Sequence, residues 1–261
     1  MSQFQKPPRG QRKSLFVIQR ASSQRLMLLS PGSQALCLVR QPLSRPGAPG
    51  YHDHACLDLS LPLRNSVCDL QEKFRNAIWE FDKVILTTKK LLQAAQALSI
   101  PVVATTQNKA RLGETVPELA PLLAQLGAHE EDKTLFSMYL PAVAERLLSQ
   151  APAPAPADVA IVGIESHICV TQTALDLLRA GHNVYVLADG VSSCNRQEVG
   201  LALDRLRCAG AVVTTSESWL YDMMRDAARP EFRAVAGVVK ATKDDTQRAL
   251  SGLFPGPGPK M

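Results

Sequence analysis

From residue 65 onward the chain alternates short apolar runs with longer amphipathic segments, and this alternation limits what it can fold into. Short runs rich in β-branched residues predict strands at Val67-Cys68, Pro101 to Thr106, Ala160 to Ile164, Asn183 to Ala188 and Ala211 to Thr214. A more polar strand is predicted at His129 to Thr134. Between them, helical spacing predicts helices over 84–98, 115–126, 141–149, 170–180, 196–209 and 217–227, the last of these closing the fold. Gly181 and Gly210 stand where a helix ends in a left-handed residue. Crossovers of this length join parallel strands, so the pattern predicts an α/β fold with helices on both faces of a parallel sheet. Sites in such sheets lie beyond the carboxyl ends of the strands. That rule sends Asp69, Thr106, Gln107, Lys133, Cys169, Asp189 and Ser192 to one crevice.

The charge is uneven. Residues 1–50 carry eight of the 29 basic side chains and no acid, leaving 21 basic groups against all 24 acids in the remainder. The body is therefore mildly acidic, which argues against nucleic acid as its partner. Residues 1–64 read as a leader rich in arginine, serine and proline, the composition of a mitochondrial transit peptide. A tail outside the fold, or a gene start that differs from the natural one, accounts for the same composition. Localisation is expected to be intracellular, mitochondrial if the leader acts and cytoplasmic otherwise. Residues 65–254 read as the folded domain and 255–261 as a Gly/Pro-rich tail, with a Pro/Ala spacer at 151–157. No apolar window approaches a membrane span. The six cysteines, Cys37, Cys56, Cys68, Cys169, Cys194 and Cys208, show neither C-x-x-C pairs nor regular spacing. They read as reduced thiols rather than a disulfide framework or a zinc site.

Cys169 follows a strand and a turn and falls in the first turn of a helix. Unpaired N–H groups and the partial positive charge there favour a thiolate. A single cysteine in that place is more often a small buried apolar residue. Two further groups make the chemical reading worth weighing. An ammonium at Lys133 favours a thiolate and a developing oxyanion, and a carboxylate at Asp69 can carry the thiol proton to a leaving group. Each has an ordinary alternative. Asp69 can cap the segment from Gln71, and Lys133 sits in the charged run Glu130-Glu131-Asp132-Lys133, normally a solvated face.

Three ordered segments carry a resemblance. Cys68-Asp69-Leu70-Gln71-Glu72-Lys73-Phe74, Asp132-Lys133-Thr134-Leu135-Phe136-Ser137-Met138 and Gly163-Ile164-Glu165-Ser166-His167-Ile168-Cys169-Val170 resemble the signature segments of the isochorismatase-like cysteine hydrolases. The likeness is greatest to the eukaryotic isochorismatase domain-containing proteins and runs from about Ser66 to Phe254. It implies a three-layer α-β-α sandwich around a six-stranded parallel sheet. It implies a catalytic triad of Asp69, Lys133 and Cys169, with Cys169 as nucleophile. It also implies a cis peptide at Ile164–Glu165 that aims the Glu165 N–H, with that of Cys169, at an oxyanion. Gln71, Phe74, Thr106, Gln107 and Tyr139 are the implied substrate-lining residues, and a homo-oligomer is the implied assembly.

Departures from the family sharpen the expectation. Nicotinamidases of the family bind a metal through Asp-x-His and a later His. This chain has Thr106-Gln107-Asn108-Lys109 there, so neither a metal nor a cofactor is expected. Vinyl-ether cleavage by true isochorismatases does not need the cysteine. Its presence points instead to amide, imide or related acyl chemistry through a thioester on a small-molecule substrate. The first strand departs most: Arg64, Asn65 and Ser66 precede Asp69 where a parallel sheet calls for apolar residues, and burying them is costly. The alternative function is therefore an impaired binding or scaffold protein on the same fold. A nucleotide-binding domain is disfavoured, since neither G-x-G-x-x-G nor G-x-x-x-x-G-K-[ST] occurs.

Overall fold

Strand β1 (Leu63–Cys68) lies at the centre of a sheet although three of its six residues are polar. The computed structural model describes residues 63–148 and 156–254. The leader up to residue 62, residues 149–155 with most of the 151–157 spacer, and the tail at 255–261 lie outside the described residues. Five further strands follow: β2 (Val102–Gln107), β3 (His129–Lys133), β4 (Asp158–Ile164), β5 (Asn183–Ser192) and β6 (Val212–Thr214). The order across the sheet is β3-β2-β1-β4-β5-β6, and every pair is parallel. The chain winds outward from β1 in one direction, then returns to its other side. The switch of direction falls between β1 and β4, where sheets of this kind open a crevice.

Alternation along the strands splits the core into two layers. Val67, Ala104, Ala160, Val162, Tyr185 and Leu187 face one way. There they meet α1 (Phe81–Leu98), α3 (Ala120–Gln125), α7 (Ser216–Met224) and α8 (Phe232–Ala241). Cys68, Val103, Val159, Ile161, Val184 and Val186 face the other way. Their partners there come from α4 (Pro141–Leu148), α5 (Thr171–Arg179) and α6 (Arg196–Ala209). A short helix, α2 (Lys109–Leu112), follows β2. Trp219 is the largest of the fully buried side chains and anchors α7 beneath the sheet. The three-layer α-β-α arrangement expected from the sequence is present.

Three expectations need correction. The last helix is not the one near 217–227: α8 and α9 (Lys243–Leu253) follow it, and α9 packs on α1. Helical spacing of Val235, Val238 and Val239 was the available signal. Strand β5 runs on to Ser192, so Asp189 and Ser192 lie inside it rather than beyond its end. Asp189 is fully buried and accepts hydrogen bonds from the Ser216 backbone N–H (2.7 Å) and hydroxyl, tying down the start of α7. Ser192 donates to the Trp79 carbonyl. The first strand is also longer than Val67-Cys68. It takes in the polar residues, burying Arg64, Asn65 and Ser66. Nε and Nη2 of Arg64 and both polar side-chain atoms of Asn65 have no hydrogen-bond partner. The expected cost of a polar central strand is present, yet the register holds, with Cys68 opposite Thr105 on β2 and Gly163 on β4.

That register depends on glycine at position 163. Its φ is +119°, and a Cβ there would lie 2.1 Å from the Cys68 carbonyl oxygen. No side chain fits between the two backbones.

Candidate active site

Asp69 is the first residue beyond β1 and has a φ of 52°, a left-handed conformation that aspartate tolerates better than most residues. Its N–H donates to the Thr105 carbonyl, extending the sheet pairing by one residue (3.1 Å). Its carboxylate turns inward. Oδ1 accepts from the Thr105 hydroxyl at 2.7 Å, and Oδ2 accepts from Lys133 Nζ at 2.7 Å and from the Cys68 thiol at 3.6 Å. Asp69 does not cap the turn that follows. That 3-10 turn (Glu72–Phe74) has Gln71 at its cap, with no side-chain bond.

Lys133 ends β3, and strand alternation explains its burial inside a charged run. Glu130 and Asp132 project outward to solvent, while Lys133 is only 4% exposed. Its ammonium has three acceptors: Asp69 Oδ2, Gln107 Oε1 at 2.7 Å and the Phe136 carbonyl at 3.2 Å. The three N–H bonds of the ammonium are thereby used.

Cys169 lies in a π-helical turn (Ser166–Val170) that leads from β4 into α5. The peptide bond just before this turn, Ile164–Glu165, is cis. Thr173 Oγ1 donates to the Cys169 carbonyl and accepts from the Met138 N–H, linking this turn to the segment after Lys133. The sulfurs of Cys169 and Cys68 and a carboxylate oxygen of Asp69 lie within 4.8 Å of one another. An acid, an ammonium and two thiols therefore meet at the carboxyl end of the sheet, across the β1–β4 switch. Burial pushes the Cys68 thiol well above its ordinary range, and a hydrogen bond with Cys169 and the charge of Asp69 push it further.

The other expected lining residues fall differently. Gln107 bonds Lys133 through its Oε1 and the Thr134 carbonyl through its amide nitrogen (2.9 Å). Gln71 is fully buried, and its amide is consumed by the chain. It donates to the carbonyls of Gln107 and Gly113 and accepts from the Gln107 N–H. Phe74 is half-buried against the α1 layer. Thr106 points to the opposite face from Thr105 and Gln107 and donates to Asp132 (2.9 Å). The Tyr139 hydroxyl lies 3.4 Å from Nε2 of His182, a residue just before β5 at the amino-terminal edge of the sheet. Of these five, only Gln107 bonds a member of the buried trio through its side chain; the Gln71 backbone N–H donates to the Asp69 carbonyl (2.9 Å). Sequence reasoning missed Thr105 and Cys68 as partners of Asp69. The adjacency of Cys68 to Asp69 was the signal that could have found the thiol, whereas Thr105 owes its place to the register of β1 on β2.

At the rim, Glu165, His167 and Cys194 place one potential ligand atom each within 4.8 Å of the others. Their existing bonds account for the arrangement. Glu165 accepts from the Cys194 N–H (2.9 Å), and Nδ1 of His167 lies 2.9 Å from the Ser193 hydroxyl. The Glu165 carboxylate beside it also raises the Cys194 thiol above its ordinary range.

An isochorismatase domain model matches residues 67–218, more than half of the chain. The chain belongs to the isochorismatase family. It is 40% identical over 194 residues to isochorismatase domain-containing protein 2 of Xenopus laevis, covering 73% of this chain and 89% of that one. It is also 40% identical over 175 residues to the secreted isochorismatase effector Isc1 of Phytophthora sojae (strain P6497), covering 67% and 82% respectively. Among solved structures, the MAR1 ribonuclease from Caenorhabditis elegans is similar with a TM-score of 0.66 and 37% identity, covering 77% of this chain and 97% of that one. These likenesses place the chain among the isochorismatase-like hydrolases. Among its described residues no helix is long and apolar enough to cross a membrane.

Proposed function

We propose that this isochorismatase-family chain is a cysteine-dependent hydrolase of a small amide, imide or related acyl substrate, working through a thioester on Cys169. One observation carries the reading. Asp69 and Lys133 form a buried ion pair (2.7 Å), and a carboxylate oxygen of Asp69 lies within 4.8 Å of the Cys169 sulfur. A separation within that bound is inside the reach of one water.

The chemistry follows from those positions. Asp69 takes the Cys169 proton as the sulfur attacks the substrate carbonyl carbon. Lys133 is paired with Asp69 before the transfer and offsets the negative charge that then develops on the substrate oxygen. The N–H groups of Glu165 and Cys169 receive that oxygen. As the carbon–nitrogen bond breaks, Asp69 returns the proton to the leaving amine. Water then attacks the thioester, Asp69 takes its proton, and Cys169 leaves as thiolate and is reprotonated. Phe74 and Gln107 border the acyl group, while Gln71 and Thr106 support the surrounding loops. Leu135 and Phe136, exposed beside Lys133, give the homo-oligomer an apolar contact on which to form.

The test is intact mass after incubation with a panel of small amides, imides and esters, plus an RNA oligonucleotide because the worm relative is named a ribonuclease. The expected result is a transient acyl adduct on Cys169, lost with turnover in Cys169→Ala, and intact RNA. A folded chain that acylates nowhere and turns over nothing would sink the hydrolase and leave the scaffold. RNA cleavage that survives Cys169→Ala would sink it too.

A further inference from the structure

We propose that Cys68 and Cys169 form a peroxide-oxidisable dithiol, in which Cys169 meets a small hydroperoxide and Cys68 then closes a disulfide with it. Their sulfurs lie within 4.8 Å of each other. Oxidation then has to bring the two sulfurs from within that distance to a bond of about 2.05 Å. Strands β1 and β4 approach closely just ahead of the turn that carries Cys169, because Cys68 pairs with Gly163, which has no side chain to hold the strands apart.

The two thiols differ in the way that such a pair requires. Cys169 is 7% exposed and Cys68 is fully buried, so an oxidant from solvent reaches Cys169 first. Burial and the neighbouring carboxylate keep Cys68 protonated, out of reach of direct oxidation. Its sulfur donates to Asp69 Oδ2, which gives the proton somewhere to go when the second step comes.

The chemistry balances with a hydroperoxide as the only co-reactant. The Cys169 sulfur attacks the peroxide, the O–O bond breaks, and the products are a sulfenic acid on Cys169 and an alcohol or water. Sulfur is oxidised and the peroxide oxygen reduced. The Cys68 sulfur, its proton passed to Asp69, attacks the Cys169 sulfur. The S–O bond breaks, the S–S bond forms, and the hydroxyl departs as water with the proton that Asp69 held. The step requires only two sulfurs and one carboxylate, so it does not rest on the hydrolase reading.

The full-length reduced chain is treated with hydrogen peroxide, its remaining thiols are alkylated, and its tryptic peptides are mapped by mass spectrometry. The expected product is a Cys68–Cys169 cross-linked peptide, about 2 Da lighter than the sum of its two reduced peptides and reopened by dithiothreitol. In Cys68→Ser and Cys68→Ala the cross-link is lost, and Cys169 advances to the dithiothreitol-resistant sulfinic acid. Should both variants fail to fold, the wild-type map alone decides. Cys169 remaining reduced while Cys194 oxidises overturns the proposal. So does Cys169 joined to another cysteine, or sulfinic acid on Cys169 formed as fast in the wild type as in the variants.

Discussion

Lys133 sits among four consecutive charged residues, yet its ammonium is sealed against Asp69, Gln107 and a backbone carbonyl. A charge count marks it as a surface residue. Period-2 alternation along β3 marks it as an inward one, and alternation wins because the strand is paired with β2 to its last residue. Removing one partner of a buried ion pair leaves the other without compensation, at a cost of about 3–5 kcal/mol. Lys133→Met is expected to lose stability on that scale in urea denaturation. Adding Asp69→Asn to it should return part of the loss, because the orphaned charge is gone. A loss below about 1 kcal/mol, the size seen for exposed pairs, would show that the contact is not sealed from solvent. Asp69 and Cys169 were legible from their places after predicted strands. Thr105 was not, because its role comes from its register opposite Cys68, which only the assembled sheet displays.

Strand β1 is where sequence and fold conflict. Its residues argue for an edge or a loop, and the topology puts it in the middle. Neighbours decide the matter. Val102–Gln107 and Asp158–Ile164 are strong strands, and β1 pairs with both. The price is buried polar atoms without partners on Arg64 and Asn65. A buried group left unsatisfied costs about 1–3 kcal/mol, so Asn65→Val, which also suits a strand better, is expected to raise stability by about that amount. Thermal and urea unfolding measure it, and a variant less stable than the parent would mean that Asn65 finds partners in solution. Long, regular elements such as α6 were legible to the residue. Helices α8 and α9 were not, because each buries only a narrow stripe, Val235 on one and Ala249 and Leu253 on the other.

Across the whole molecule, the strand alternation was enough to infer a parallel sheet with helices on both sides, but not the order of its strands. That order matters, because it places one end of the sheet under the site and leaves the other to hold the layers together. His182 belongs to the second end. Its Nδ1 accepts the Ala157 N–H at 3.1 Å, joining the entries to β4 and β5, and burial holds its imidazole below the ordinary range. The unfolded chain therefore binds a proton at this residue before the folded chain does. The stability it contributes is whole above about pH 6.5, the value for a free imidazole, and is lost as pH falls through the lowered folded value. Urea unfolding at stepped pH should show this decline in the parent. It should flatten in His182→Asn, whose amide oxygen can accept the same N–H without titrating. Equal slopes in the two proteins would exclude the histidine as the source.

The groups of the proposed reaction are divided by a single seam: Asp69 and Lys133 belong to the β1 side of the sheet, Cys169 to the β4 side. That seam runs beside the least comfortable strand and is closed by a glycine with no tolerance for bulk. A breathing motion there would part the sulfur from its carboxylate while the outer helices stayed wound. Such a molecule would keep the spectrum of a folded protein and lose the proposed chemistry, which would make competence a property of this chain's middle rather than of its bulk.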